Sequence, residues 1–176
     1  FSPEPIAAAS IGQVHMAHLD DRELVVKVQY PGVARAVEAD LRNLSFLTTF
    51  PRLGQKLLGG LVGEVDIKAL VDEVRDRIGD ELDYRIEAAN QQEFADLYRD
   101  DPTILIPEVV PELSIRRVLA MEYVDAMRWS AALEQPQELR DQWGEVISRF
   151  AHLSLYRHGV LNVDTHPGNY LFHEDG

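Results

Sequence analysis

At 176 residues the chain is long enough for one domain with its own core, or for one domain and part of another. Hydrophobic residues make up 45% and charged residues 27%, an ordinary globular balance, and the net charge of −13 argues against a broad basic face for nucleic acid or anionic lipid. It leaves room for a phosphate ligand held by local positive charge. With no cysteine there is no disulfide, thiolate nucleophile or cysteine-ligated zinc, and no apolar run of about 18 residues marks a membrane span.

The chain begins in mid-phrase at "FSPEPIAAAS" and stops at "LFHEDG", which reads as a turn before a further strand, so both ends are expected to have been cut from a longer protein. The runs 11–19 and 23–30 are rich in β-formers and are joined by Asp20-Asp21-Arg22, which predicts a hairpin. Pro31-Gly32 closes it. Val33, Val37, Leu41, Leu44 and Leu47 then form a helical stripe over 33–50, broken near 58–63 by "LGGLVG". One long helix is predicted from about Asp66 to Tyr98, with Val71, Val74, Ile78, Leu82, Ile86 and Ala89 as its apolar stripe and Gly79 as a point of bending. "ILIPEVV" and "IRRVLAMEYV" read as two more strands. Pro136 starts a helix that ends near His158-Gly159, where glycine makes a good C-cap.

Four features carry candidate chemistry. "AAASIGQV", residues 7–14, is either a plain small-residue turn or a place where backbone N–H groups approach a phosphate. Lys27, between valines in "VVKVQ", is a solvent-facing strand lysine or a buried one that needs a partner. In the acidic helix, with Ile78 at the centre of the stripe and about 100° per residue, Glu81 falls about 60° off centre while Glu87 lies opposite and Asp83 near it. A continuous helix therefore makes Glu81 the first choice as partner for Lys27, with Glu87 as the alternative. Lastly, "NVDTHPGN" holds Asp164 and Asn169 five apart in a stiff loop. Such a pair suits a metal–phosphate complex, the amide oxygen taking Mg²⁺ and the carboxylate orienting a nucleophile; an ordinary Asp-Pro-Gly turn is the plain reading. His166 has no second histidine at ligand spacing and reads as loop packing.

A small-residue stretch, a strand with Lys, an acidic helix, a strand pair ending in "MEYV", a helix and D-x-x-x-x-N follow one another in the order of protein-kinase parts. The phrases "PIAAASIGQVH", "VVKVQYPGV", "ELDYRIEAAN", "VLAMEYV" and "DTHPGN" also resemble the UbiB/AarF/ADCK atypical kinases, across nearly the whole chain. The resemblance implies an α+β protein-kinase-like fold. Residues 1–125 would form an N-lobe with an antiparallel sheet and a long C helix, and 126–176 the start of a helical C-lobe with its catalytic loop.

The same resemblance implies ATP and Mg²⁺ as cofactors and places the binding residues. Ala7, Ala8, Ala9, Ser10, Ile11, Gly12 and Val14 match the phosphate loop, with alanines where other kinases carry glycine. Val25 would contact adenine and Lys27 the α/β-phosphates. Glu81 and Asp83 match an E-x-D motif. Met121 would be the gatekeeper, and Glu122 to Val124 the hinge. Asp164 matches the catalytic aspartate and Asn169 the metal-binding asparagine, with His166 at the usual catalytic-loop lysine. An upstream K-x-G-Q and a downstream D-F-G would lie outside residues 1–176, leaving this stretch inactive by itself. The implied setting is isoprenoid-quinone lipid metabolism on the cytoplasmic side of a bacterial membrane. Quinone-precursor lipids or lipid-biosynthesis proteins would be partners, the membrane would be met through segments outside this chain, and no nucleic acid is implied. Two other readings are a nucleotide-binding pseudokinase scaffold and a small-molecule kinase of the aminoglycoside or choline type, against which the alanine-rich loop argues.

Overall fold

The computed structural model describes residues 1–37, 39–40 and 67–175. The stripe residues Leu41, Leu44 and Leu47 and the "LGGLVG" break lie outside the described residues. The chain forms two compact units, one of Phe1–Asn90 with Val109–Glu122, the other of Gln91–Glu108 with Tyr123–Gly176.

The first unit is built on a four-stranded antiparallel sheet of β1 (Pro5–Ala9), β2 (Gly12–Leu19), β3 (Arg22–Gln29) and β4 (Val118–Glu122), in that spatial order. The β2–β3 hairpin is the predicted one, with Leu19 opposite Arg22, and its tight turn places Asp20 at φ 54°, a left-handed conformation that Asp tolerates. Gly32, at φ 84°, supplies the left-handed residue after β3. The segment "PIAAA" is a strand rather than a loop. Ala9 pairs with Gly12, so only Ser10 and Ile11 form the connection. Of "ILIPEVV", Val109 alone makes a ladder contact, an isolated bridge to Met121; a proline at 107, unable to donate to a ladder, stands in the middle of the run.

The long helix predicted over 66–98 is two helices, α1 (Ile67–Glu81) and α2 (Tyr84–Tyr98). Gly79 lies inside α1, and the interruption falls at Leu82-Asp83. Asp83 is the cause: its carboxylate accepts the backbone N–H of Arg85 at 3.1 Å, the N-cap arrangement that starts a new helix. The Tyr84 N–H leaves the helical pattern altogether and donates to the Arg116 carbonyl at 3.0 Å. On the other side of the break, buried Gln29 donates from Nε2 to the Leu82 carbonyl at 3.0 Å. The break is thus tied by one hydrogen bond to β3 and by another to the turn that precedes β4.

Side chains on the two faces of the sheet enter different clusters, as period-2 alternation requires. Ala17, Leu24, Val26, Ala120 and Val110 pack on one face, with Leu19, Val28 and Val118 beside them. Leu119 lies on the other face with Tyr84 and Val109, flanked by Ile11, Ala88 and Met121. The second unit is organised by α4 (Gln137–Leu153), which follows the short strand β5 (Met127–Arg128) and helix α3 (Trp129–Ala132). Trp143 is buried against Ala132 and Phe172, and its indole N–H donates to the His173 carbonyl at 3.1 Å. A π-turn over Ser154–His158 ends at Gly159 with φ 72°, the expected glycine cap. Among the described residues no helix is long and apolar enough to cross a membrane.

Candidate functional site

In the first unit the sheet register brings the predicted binding residues to one face. Lys27 stands opposite Val14 on β2 and Leu119 on β4, and Val25 stands opposite Met121. Directly opposed residues share a face, so Val14, Val25, Lys27 and Met121 are on the α2 side of the sheet together with Leu119. Ala7 and Ala9, opposite Val14 and Gly12, join them, whereas Ala8 points with Gln13 to the other face. Ser10 is exposed in the connection and Ile11 packs against the Tyr84 cluster. Glu122 ends β4, and Val124 lies half-buried in the second unit.

Lys27 pairs with Glu87, not with Glu81. Its Nζ donates to both carboxylate oxygens of Glu87 at 2.8 Å. Glu81, the first choice from the helical wheel, is exposed at the C-terminus of α1. The wheel assumed a single rod from Asp66 to Tyr98, and the break at Leu82-Asp83 resets the helical phase before Glu87 is reached. The Lys27 side chain is 20% exposed and that of Glu87 42%, so the pair sits at the edge of water rather than deep in the core. The Lys27 Nζ also lies 4.7 Å from the centroid of the Tyr84 ring, within cation–π range. Asp83 has a different task from its neighbour in the E-x-D motif. Its side chain is bonded to Arg85, and that hydrogen bond brings its carboxyl down to about 2.

Tyr84 and Gln29 were not singled out from the sequence. Tyr84 stands three residues before Glu87, a spacing that puts both on one helix face, and Asp83 before a helix-forming run is an N-cap signal. Together these could have exposed the break.

In the second unit Asp164 and Asn169 are brought together in one exposed loop. Asn169 Nδ2 donates to the Asp164 carbonyl at 3.1 Å, which leaves Oδ1 as the acceptor end of that side chain. Asp164 receives the His166 N–H on Oδ1 at 3.4 Å, and its own N–H donates to Asn162. His166 packs the loop as expected, by capping: its Nδ1 accepts the Gly168 N–H at 3.0 Å at the start of the turn Pro167–Asn169. Nδ1 is therefore unprotonated, and a neutral imidazole carries its proton on Nε2. The loop is anchored directly downstream by β6 (Leu171–Phe172), which pairs with β5. Phe172 sits between Trp143, at 4.9 Å, and Trp129, at 5.5 Å.

The apolar sheet face around Lys27 fits a nucleotide: a cation for phosphate beside half-buried aliphatic side chains for a base. Mg²⁺ has less to hold it. Among the described residues no group of three His, Cys, Asp or Glu is placed for a metal ion, so Asn169 and Asp164 fit Mg²⁺ only in company with a ligand's phosphates.

Comparison with known proteins agrees with the fold. The chain is 37% identical over 169 residues to "Atypical kinase COQ8B, mitochondrial" of Rattus norvegicus, covering 96% of this chain and 31% of that one. It is 36% identical over 179 residues to "Uncharacterized protein sll0005" of Synechocystis, covering 100% and 26%. The chain thus spans roughly a quarter to a third of these relatives' length. The solved structure of the Rv3197–erythromycin complex from Mycobacterium tuberculosis matches with a TM-score of 0.83 and 36% identity, over 99% of this chain and 43% of that one. The fold is therefore α+β and kinase-like. Residues 1–176 match the ABC1 atypical kinase-like domain from end to end, and the chain belongs to that family.

Proposed function

We propose that this chain is the nucleotide-binding part of an ATP-dependent atypical kinase or ATPase. The observation that carries the reading is Lys27, held on both carboxylate oxygens of Glu87 on a sheet face that also presents Val14, Val25 and Met121. Lys27 would take the phosphates and the aliphatic side chains the base. Ala7 and Ala9, on the same face, put methyl groups where a more open loop would have none, which restricts how the phosphates approach. Glu122 and Val124 would offer backbone groups to adenine. Asn169 would hold Mg²⁺, which supplies neutralisation of phosphate charge, and Asp164 would orient or deprotonate the nucleophile. The UbiB/AarF/ADCK likeness supports a link to isoprenoid-quinone lipid metabolism at a membrane surface, on the cytoplasmic side if the source is bacterial.

Asn169 contributes one neutral oxygen, which offsets little of a divalent charge. Residues 1–176 alone are therefore expected to bind ATP weakly, with little dependence on Mg²⁺ and no turnover. The full-length protein is expected to bind with Mg²⁺ and to hydrolyse ATP, and Asp164→Asn should abolish hydrolysis while leaving binding. Calorimetry on both forms, with and without Mg²⁺, beside an ATPase assay, tests this. Tight Mg²⁺-dependent binding by residues 1–176 would show the metal site to be elsewhere. Full hydrolysis by the Asp164→Asn protein would remove Asp164 from the chemistry.

A further inference from the structure

Tyr84 is the largest fully buried side chain among the described residues, 1% exposed, and it stands at the meeting point of three parts of the site. The Lys27 ammonium lies 4.7 Å from its ring centroid. Glu87, which holds the same ammonium, is one helical turn along α2. The phenol oxygen reaches Gly12: a Cβ built there would sit 3.1 Å from it and 2.3 Å from the Val28 carbonyl oxygen. Its backbone N–H, bonded to the Arg116 carbonyl, fixes where the ring enters.

Among the described residues the hydroxyl has no hydrogen-bond partner. A buried, unpaired hydroxyl is costly, and native proteins leave few of them. Burial, with Glu87 and Glu81 nearby, pushes the phenol up to about 12, so it stays neutral and the ring keeps a neutral phenol's negative face for a cation. The contact that recruits Lys27 is thus the ring. The hydroxyl fills the space under Gly12 without a polar task.

Resting on the nucleotide reading above, we propose that Tyr84 is a positioning residue for phosphate binding: its ring, with the Glu87 carboxylate, fixes the Lys27 ammonium at the place where a nucleotide's phosphates are taken. The carboxylate confines Nζ from one side and the ring face confines it from another. A long, flexible lysine is thereby set before a ligand arrives, and less side-chain freedom is lost on binding.

The test uses the full-length protein with ATP as ligand. Tyr84→Phe keeps the ring and removes the unpaired hydroxyl, so it should bind ATP as the wild type does and melt no lower. Tyr84→Leu should weaken ATP binding at least about two- to fivefold, the span that cation–π contacts at exposed sites cover. In protein labelled with ¹³Cε-lysine, the Lys27 ε-protons should be shifted upfield by the ring in the wild type and in Tyr84→Phe, and the shift should vanish in Tyr84→Leu. Should Tyr84→Leu fail to fold, phenylalanine at position 84 with one, two or three ring fluorines keeps the shape while draining the ring's negative face. Affinity should then fall stepwise with fluorination. Equal affinity across the fluorinated series, or equal loss in Tyr84→Phe and Tyr84→Leu, overturns the proposal. The two readings separate cleanly. A wild type that shows the ring shift but binds no ATP defeats the nucleotide reading and leaves Tyr84 as the holder of Lys27. A Tyr84→Leu protein that binds ATP normally defeats the Tyr84 proposal alone.

Discussion

Glu87→Gln takes the charge from the only carboxylate found on Lys27 among the described residues and keeps the side chain's size. Its effect can be worked from the geometry. Exposed ion pairs contribute about 0.2–1 kcal/mol. This one is bidentate at 2.8 Å and its lysine is only 20% exposed, which favours the upper end; Glu87 is 42% exposed, which limits the gain through solvent screening. A coupling of about 1 kcal/mol follows. The assay is a double-mutant cycle in urea at pH 7, with Lys27→Met, Glu87→Gln and both together, and in parallel Lys27→Met with Glu81→Gln. The first cycle should give about 1 kcal/mol. The second should be additive within about 0.5 kcal/mol, the scatter usual for uncoupled sites. A larger coupling for Glu81 than for Glu87 would refute the placement of the helix break and everything argued from it.

Two further predictions come from packing and charge. Asp101 accepts both terminal nitrogens of Arg149, and with Thr103 helping, its carboxyl is held at about 2 against an ordinary 3.8. A carboxyl lowered on folding stabilises the fold fully above about pH 5 and loses that contribution as the pH falls toward 2. The shift alone implies an upper bound of about 2.5 kcal/mol; with Arg149 37% exposed, about 1 kcal/mol is the realistic figure. The wild type's advantage over Asp101→Asn in urea should therefore be near that at pH 7 and about half of it at pH 3, and an advantage unchanged by pH would refute the pairing. Gly12→Ala should cost about 1–3 kcal/mol by calorimetry, because its Cβ would fall 2.3 Å from the Val28 carbonyl oxygen; an unchanged melting temperature would mean that the strands part easily there.

The β2–β3 hairpin was legible because alternation and a two-Asp turn agree with one another. The face carrying Val14, Val25 and Lys27 needed only correct register, which that turn sets. Three things were hidden. The strand nature of Pro5–Ala9 was obscured by alanine, which prefers no sheet and owes its place there to pairing with β2. The burial of Trp143 was hidden because its partner Phe172 arrives from a two-residue strand too short to recognise. The partner of Lys27 was missed because helical periodicity was carried across an N-cap, and apolar residues at compatible spacing on both sides masked the phase change. Asp164 and Asn169 were legible as a pair because they are close in sequence. The role of His166 as the cap between them follows from a turn chemistry that residue spacing does not reveal.

The interruption between α1 and α2 also insulates the Lys27–Glu87 pair from changes upstream. In an uninterrupted helix, adding or deleting one residue anywhere before Glu87 would rotate it by about 100° relative to the preceding stripe. Here the Leu82 carbonyl is fastened to Gln29 and the Tyr84 N–H to Arg116, so the phase of α2 is counted afresh from the sheet. Length variation within Ile67–Glu81 can then be absorbed without turning Glu87 away from Lys27, whereas one residue inserted between Asp83 and Glu87 cannot. The four positions from Asp83 to Ile86 thus form a fixed ruler between the anchor and Glu87.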